Sequence, residues 1–210
     1  MFNLFRISRH VALLAGVAAL AACSESPTAS AVDADEPLLA RAPAPTSTSI
    51  AAVAIDAGFE ELVGALSYVD AELETGLVDL FLNGTDQYTV FAPTNEAFEN
   101  LYGLLSAVLD TEIDEITDVP AEVVFDVLLY HVTEGRRAAN SVVPKRNVRK
   151  ITSLLGEMFS VRSDGTIEDG LTGLRDDASI VSANISASNG IIHVIDAVIV
   201  PPSVVAALTG

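Results

Sequence analysis

The chain is poor in the residues that most often carry chemistry. Its 210 residues include one cysteine, Cys23, and no tryptophan, and aromatic residues make up 6%. A lone cysteine forms no intramolecular disulfide and excludes zinc sites that need two or four thiolates. Few aromatic rings leave few platforms on which bases could stack. Cations are scarce too. Eleven Lys and Arg stand against 29 Asp and Glu, a formal net charge of -18. Proteins that hold nucleic acid replace the counterions of phosphate with Lys and Arg, so this balance argues against nucleic acid as a partner. No Gly-x-Ser-x-Gly nucleophile turn occurs. What the chain has in quantity is apolar surface: 50% of it is hydrophobic, which excludes wholesale disorder.

The N-terminus reads as an address. Met1–His10 carries Arg6 and Arg9 and no acid, and Val11–Ala22 is a short run of mostly Ala, Leu and Val. A run of that length falls short of the ~20 residues that span a bilayer, and its basic flank marks a secretory signal peptide. It ends in Leu20-Ala21-Ala22-Cys23, which resembles the bacterial lipobox. That resemblance implies cleavage before Cys23 and acylation of its thiol. Two or more acyl chains anchor a protein stably where one does not. The alternative is ordinary cleavage after Ala22, leaving a free thiol. The chain is expected to be exported and lipid-anchored in the bacterial cell envelope, with the membrane as a partner through Cys23. Ser24, where Asp would mark inner-membrane retention in some bacteria, points toward the outer membrane or cell surface.

Residues 23–49, rich in Ser, Thr, Ala and acids and carrying Pro27, Pro37, Pro43 and Pro45, read as a disordered tether. Residues 50–201 read as one domain and 202–210 as a C-terminal tail. Ser49 to Leu82 is helical in pattern, with apolar stripes at Ile50, Val53, Ala54 and at Phe59, Leu62, Val63, Leu66. Tyr88 to Ala92 is a short strand. Thr94 or Asn95 can cap the helix after it, with Phe98 and Leu101 facing inward. Thr117 to Tyr130 is a further helix with Pro120 in its first turn. Strands are expected at 141–143, 148–151, 158–162, 179–185 and 190–200, and Asp164-Gly165 marks a hairpin. Helices first and then antiparallel strands make an α+β fold.

Three segments together resemble the fasciclin domain. They are Thr89-Val90-Phe91-Ala92-Pro93-Thr94-Asn95-Glu96-Ala97-Phe98, then Leu128-Leu129-Tyr130-His131-Val132, then Ala187-Ser188-Asn189-Gly190-Ile191-Ile192-His193-Val194-Ile195-Asp196. The resemblance covers nearly all of residues 50–201. It implies a wedge of about seven mostly antiparallel strands in two sheets, with N-terminal and inserted helices. It also implies a binding or adhesion module of cell surfaces and matrices, whose ligand would be an envelope or extracellular protein or a polysaccharide. Neither enzyme activity nor a cofactor is expected. Animal adhesion members carry an Asp-Ile pair just before the Asn-Gly turn, linked to integrin recognition. Here that place is Asn184-Ile185, so the carboxylate for such recognition is missing.

Thr94, Asn95, Phe98, Asn189, Gly190, His193 and Asp196 are expected to be architectural. Asn189-Gly190 is a tight-turn pair in which Gly supplies positive φ. Both faces of 190–196 are largely apolar, as in a buried central strand. His131 and His193 are expected to be core residues whose ring nitrogens satisfy backbone groups. The alternative, a hydrolase or metal-dependent enzyme using both with an acid, lacks a nucleophile and a third ligand. A self-associating structural envelope protein is a further alternative.

In the family the Tyr-His segment is linked to partner adhesion as well as to fold integrity. Leu129, Tyr130, His131 and Val132, with Leu128, are therefore candidate partner contacts. Arg136, Arg137, Lys145, Arg146, Arg149 and Lys150 follow within 15 residues. This basic stretch either meets an anionic partner, with Arg136, Arg137, Arg146 and Arg149 as contacts, or pairs inside the molecule with the acidic loop of Asp110, Glu112, Asp114, Glu115 and Asp118. That loop begins like a calcium loop but has Glu115 where Gly is required and Ala121 where the bidentate Glu belongs.

Overall fold

Each early helix begins where a side chain can take up its free N–H groups. In the computed structural model, which describes residues 41, 43–173 and 175–209, Ser49 caps α1 (Ile50–Asp56) by accepting from Ala52 N. Helix α2 (Glu60–Leu73) ends at Glu74, in the left-handed region at φ 51°. Asp70, in its last turn, accepts from Leu77 N at 2.8 Å and Val78 N at 2.9 Å. One carboxylate thereby starts α3 (Leu77–Asn83); burial pushes its pKa up, but the Thr75 hydroxyl and then the Val78 and Leu77 N–H groups hold it below the ordinary aspartate value.

Strand β1 (Tyr88–Pro93) leads into α4 (Asn95–Leu109), capped by Thr94, whose hydroxyl accepts from Ala97 N at 3.2 Å. After a 3-10 turn at Ile116–Asp118 come α5 (Ala121–Tyr130), β2 (Val132–Glu134) and a short α6 (Ala139–Val142). The rest is β3 (Val148–Thr152), β4 (Met158–Arg162), β5 (Thr166–Glu168), β6 (Ala178–Ala187), β7 (Gly190–Ile195) and α7 (Pro202–Thr209). The described residues all belong to one unit, Ala34–Gly210.

The seven strands run in the order β2-β1-β7-β6-β5-β4-β3. All neighbours are antiparallel except β1 and β7, which pair in parallel with Phe91 opposite His193. Those two strands are covered on both faces, as parallel strands usually are. Val90, Ala92, Ile192 and Val194 pack on the helices. Phe91 and Ile195 join Ile151, Phe159, Val161 and Ile167 in a second core. Strand β6 pairs first with β5 and then with β7, and its register breaks twice between Ile180 and Ile185. Such breaks bend a strand and tighten its twist. The outer strands consequently meet at one place: Leu154 N donates to Val132 O, and Thr133 Oγ1 to Thr152 O, each at 2.8 Å.

Several expectations are corrected here. Residues 141–143 lie at the end of helix α6, not in a strand, with Val142 and Val143 buried in the second core. The helix expected from Thr117 begins at Ala121, with Pro120 before its first turn. Strand β7 stops at Ile195, short of Val200. The tail is helix α7, whose Val204 is buried with Leu171 and Val200 against Leu101, Leu104, Val123 and Val127. The end of the tether belongs to the domain: Ser188 N donates to Thr48 O and Ser186 Oγ to Ala44 O. The signal peptide, Cys23 and the rest of the tether lie outside the described residues.

Gly190 shows what the parallel pairing demands. It does not adopt positive φ, and neither does Asn189. Glycine is needed because the β1 backbone comes too close for a side chain. A Cβ there would overlap Tyr88 O and stand 2.6 Å from Ile50 Cδ1. Gly190→Ala is expected to destabilise the domain by about 2–4 kcal/mol, lowering the melting temperature by roughly 5–15 °C. A melt within a degree or two of the parent would contradict this close approach.

Candidate functional site: a buried polar frame and an exposed basic stretch

Helix α5 runs its apolar stripe into Tyr130 and His131, which are 0% and 2% exposed. His131 is the C-cap. Its Nδ1 donates to Val127 O at 2.7 Å, a second donor to a carbonyl that also accepts from the His131 backbone N–H at 3.2 Å. Its Nε2 accepts from Ile199 N at 3.1 Å, tying the chain after β7 to the helix. His193, 0% exposed on β7, has the opposite arrangement. Its Nε2 donates to Arg137 O at 2.9 Å and its Nδ1 accepts from Asn184 N at 3.3 Å. Asn184 sits in the irregular part of β6 at φ 66°, and its Oδ1 accepts from Ala139 N at 2.9 Å. Each ring thus serves two backbone groups, as expected, and has no free nitrogen for a metal or a substrate proton. Burial pushes both imidazoles down to about 4.

The other motif residues are joints as well. Asn95 Nδ2 donates to Gly58 O, and its Oδ1 accepts from Glu61 N, joining the start of α4 to that of α2. Phe98 is buried in the helical core. Asn189 accepts from Ile50 N and donates to Phe81 O, fastening α1 and α3 to the β6–β7 turn. Asp196 is exposed and accepts from Ser179 N at 2.6 Å, extending the β6–β7 pairing by one rung.

The expected partner contacts fare differently. Tyr130 and His131, together with Val132 at 5% exposure, are interior and offer no surface. Tyr130 OH donates to Met158 O, and burial raises its pKa. Leu129 is half-buried against the helical core. Arg136 is a clamp. Its Nη1 donates to Ala187 O and Gly190 O, and its Nη2 to Pro43 O at 3.0 Å and Ser186 Oγ at 2.6 Å. The sequence signal for this role was weak, because an arginine in a basic run reads as a surface charge. Arg137 is half-buried, donating through Nε to Glu134 O, while its backbone N–H reaches Thr89 Oγ1. Arg149 is half-buried and donates to Ser141 O. Lys145, Arg146 and Lys150 are exposed.

The acidic loop takes none of these cations. Among the described residues the ion pairs are Arg162 with Glu168 and Asp177, and Arg175 with Asp169. Asp118 instead accepts from Asp114 N and Glu115 N and closes a capping box. Internal pairing of the basic stretch with that loop is therefore corrected. The helical layer also holds partly open apolar pockets of about 120 and 100 Å³, with Leu62, Leu128 and His131 in the walls of both.

The description "Fasciclin domain" belongs to the family model that matches residues 58–201. This chain belongs to the fasciclin domain family. It is 34% identical over 164 residues to protein sll1483 of Synechocystis, covering 76% of this chain and 78% of that one. It is 31% identical over 135 residues to the cell surface glycolipoprotein MPB83 of Mycobacterium bovis, covering 62% and 50%. It thus spans about half the length of that mycobacterial relative. Among solved structures, a pair of FAS1 domains from the insect cell adhesion molecule Fasciclin I matches with a TM-score of 0.44 and 21% identity, over 66% of this chain and 45% of that one.

The neutral histidines make the stability of this fasciclin domain depend on pH. Unfolded histidines titrate near 6.5, and the folded ones near 4. Between those values the unfolded chain binds more protons, so stability falls as pH falls through that window. On the order of 3 kcal/mol per histidine is lost by pH 4. Urea melts from pH 7.5 to 4.5 are expected to give steadily lower midpoints. His193→Gln, whose side chain does not titrate, should reduce the slope by about half whatever its own stability. An unchanged slope would mean that His193 is not buried in its neutral form.

Proposed function

We propose that the protein is an exported, lipid-anchored binding or adhesion module that presents one fasciclin domain at the cell envelope. It recognises an envelope or extracellular protein or a polysaccharide, and performs no catalysis. The observation that carries the reading is the sequence Leu20-Ala21-Ala22-Cys23 ahead of a domain whose relatives include a protein named a cell surface glycolipoprotein. The engaged nitrogens of both core histidines support binding over hydrolysis, since a hydrolase needs a base with a free lone pair beside a nucleophile. Among the described residues no helix is long and apolar enough to cross a membrane. With Tyr130 and His131 interior, recognition falls to exposed side chains elsewhere on the domain.

Cys23→Ser is expected to abolish incorporation of labelled fatty acid and to move the protein from the detergent phase to the aqueous phase on phase partition. Equal labelling of parent and variant would remove the anchor from the account.

A further inference from the structure

Charge is unevenly distributed along this chain, and the cations of residues 131–210 fall mostly in one short stretch, the seven acids of residues 157–209 being set against only Arg162 and Arg175. Residues 50–130, which hold the helical layer and β1, contain 17 Asp and Glu and no Lys or Arg. Residues 135–156 contain six Lys and Arg and no acid. Two of those six, Arg136 and Arg149, are bonded to backbone carbonyls, and Arg137 is half-buried. Lys145, Arg146 and Lys150 remain exposed, and no ion pair with a described acid engages them. Exposed Val148, at 48%, lies between them on edge strand β3, and Met158, at 54%, is on the neighbouring β4.

The second observation concerns where the chain enters the domain. Pro43 O is held by Arg136, the first residue of the basic stretch, and Ala44 O by Ser186. Twenty residue steps separate Cys23 from Pro43, a reach of at most about 70 Å. Ala139 N is bonded to Asn184 and Arg149 to Ser141 O. The basic stretch therefore begins at the residue that holds the incoming chain at Pro43.

We infer that this stretch is the membrane-facing side of the domain, with Lys145, Arg146 and Lys150 on the anionic headgroups of the bilayer that holds the anchor. The inference rests on the proposed acylation of Cys23. Each cation brought to an anionic leaflet multiplies the equilibrium constant roughly fivefold, so three favour this orientation by roughly a hundredfold. A gain of that size holds a free protein poorly. It suffices for one already confined to the surface, because the tether keeps the local concentration of headgroups high. The acidic helical layer is repelled by the same leaflet and faces away, leaving its surface open to envelope partners. Val148 and Met158 add apolar side chains at the headgroup boundary. A soluble anion gains nothing from the tether, which is why a lipid surface is the occupant favoured here.

The absence of tryptophan provides a reporter. Ser163, exposed beside the β3–β4 pair, and Ser67, exposed on α2, are each replaced in the full acylated protein, as Ser163→Trp and Ser67→Trp. Both are reconstituted in vesicles carrying a headgroup nitroxide quencher. In phosphatidylglycerol vesicles at low salt, Trp fluorescence at 163 is expected to be quenched several-fold more than at 67. The difference should vanish in phosphatidylcholine, at high salt, and in the K145E/R146E/K150E background. Equal quenching at both sites in phosphatidylglycerol, or a difference that survives charge reversal, would overturn the inference and leave the stretch to a soluble anionic ligand. Loss of protein from vesicles of both compositions would be a failure of the anchor instead. Coupling Cys23 to a maleimide lipid would then restore the same comparison.

Discussion

A backbone N–H or C=O buried without a partner costs about as much as a broken hydrogen bond, and this fold creates several such groups by design. Strand β6 loses its regular pairing between Ile180 and Ile185. Helix α5 ends inside the molecule at His131. The chain after β7 passes through the interior as Val198–Val200, without strand partners. Side chains fill these gaps: His193 at the β6 irregularity, Asn184 at the start of α6, His131 at Ile199, Asn189 and Arg136 around the β6–β7 turn. Satisfying these groups from side chains, rather than water, lets the two cores on either side of β1 and β7 stay apolar.

That constraint explains why His131, His193 and Asn189 of the family motifs are buried and why they make poor ligands or catalysts. An imidazole that must accept from one backbone group and donate to another is fixed in one tautomer, and protonating it breaks the accepting bond. The polar frame is therefore committed to structure, and what remains for recognition lies outside it. The same frame brings the tether end to Arg136. The chain thus enters the domain at the first residue of the basic stretch, while most of the negative charge lies in residues 50–130.

Much of the architecture was legible because it depends on local chemistry. The Thr94 cap, the Asp164-Gly165 turn and the apolar faces of β7 each follow from a few adjacent residues. The core role of both histidines could be read from their apolar surroundings. What escaped depended on distant contacts. Ser141-Val142-Val143 has β-branched residues and reads as a strand, but packing of Val142 and Val143 in the second core makes it helical. Residues 202–210 read as a tail, yet Pro202 suits the first turn of α7. Gly190 reads as a turn residue, whereas its requirement comes from Tyr88, far away in sequence. Burial of Tyr130 and the four acceptors of Arg136 are tertiary facts that no short pattern carries.

The two histidines offer the most direct test of the frame, because the account requires opposite tautomers. Long-range proton–nitrogen correlation spectra of the ring nitrogens distinguish them. His131 should carry its proton on Nδ1, donating to Val127 O, and His193 on Nε2, donating to Arg137 O. Both patterns should persist unchanged as the pH is lowered from 7.5 to about 5, given folded values near 4. The same tautomer at both positions, or titration of either ring near its ordinary value of 6.5, would contradict the claim that these side chains stand in for missing backbone partners.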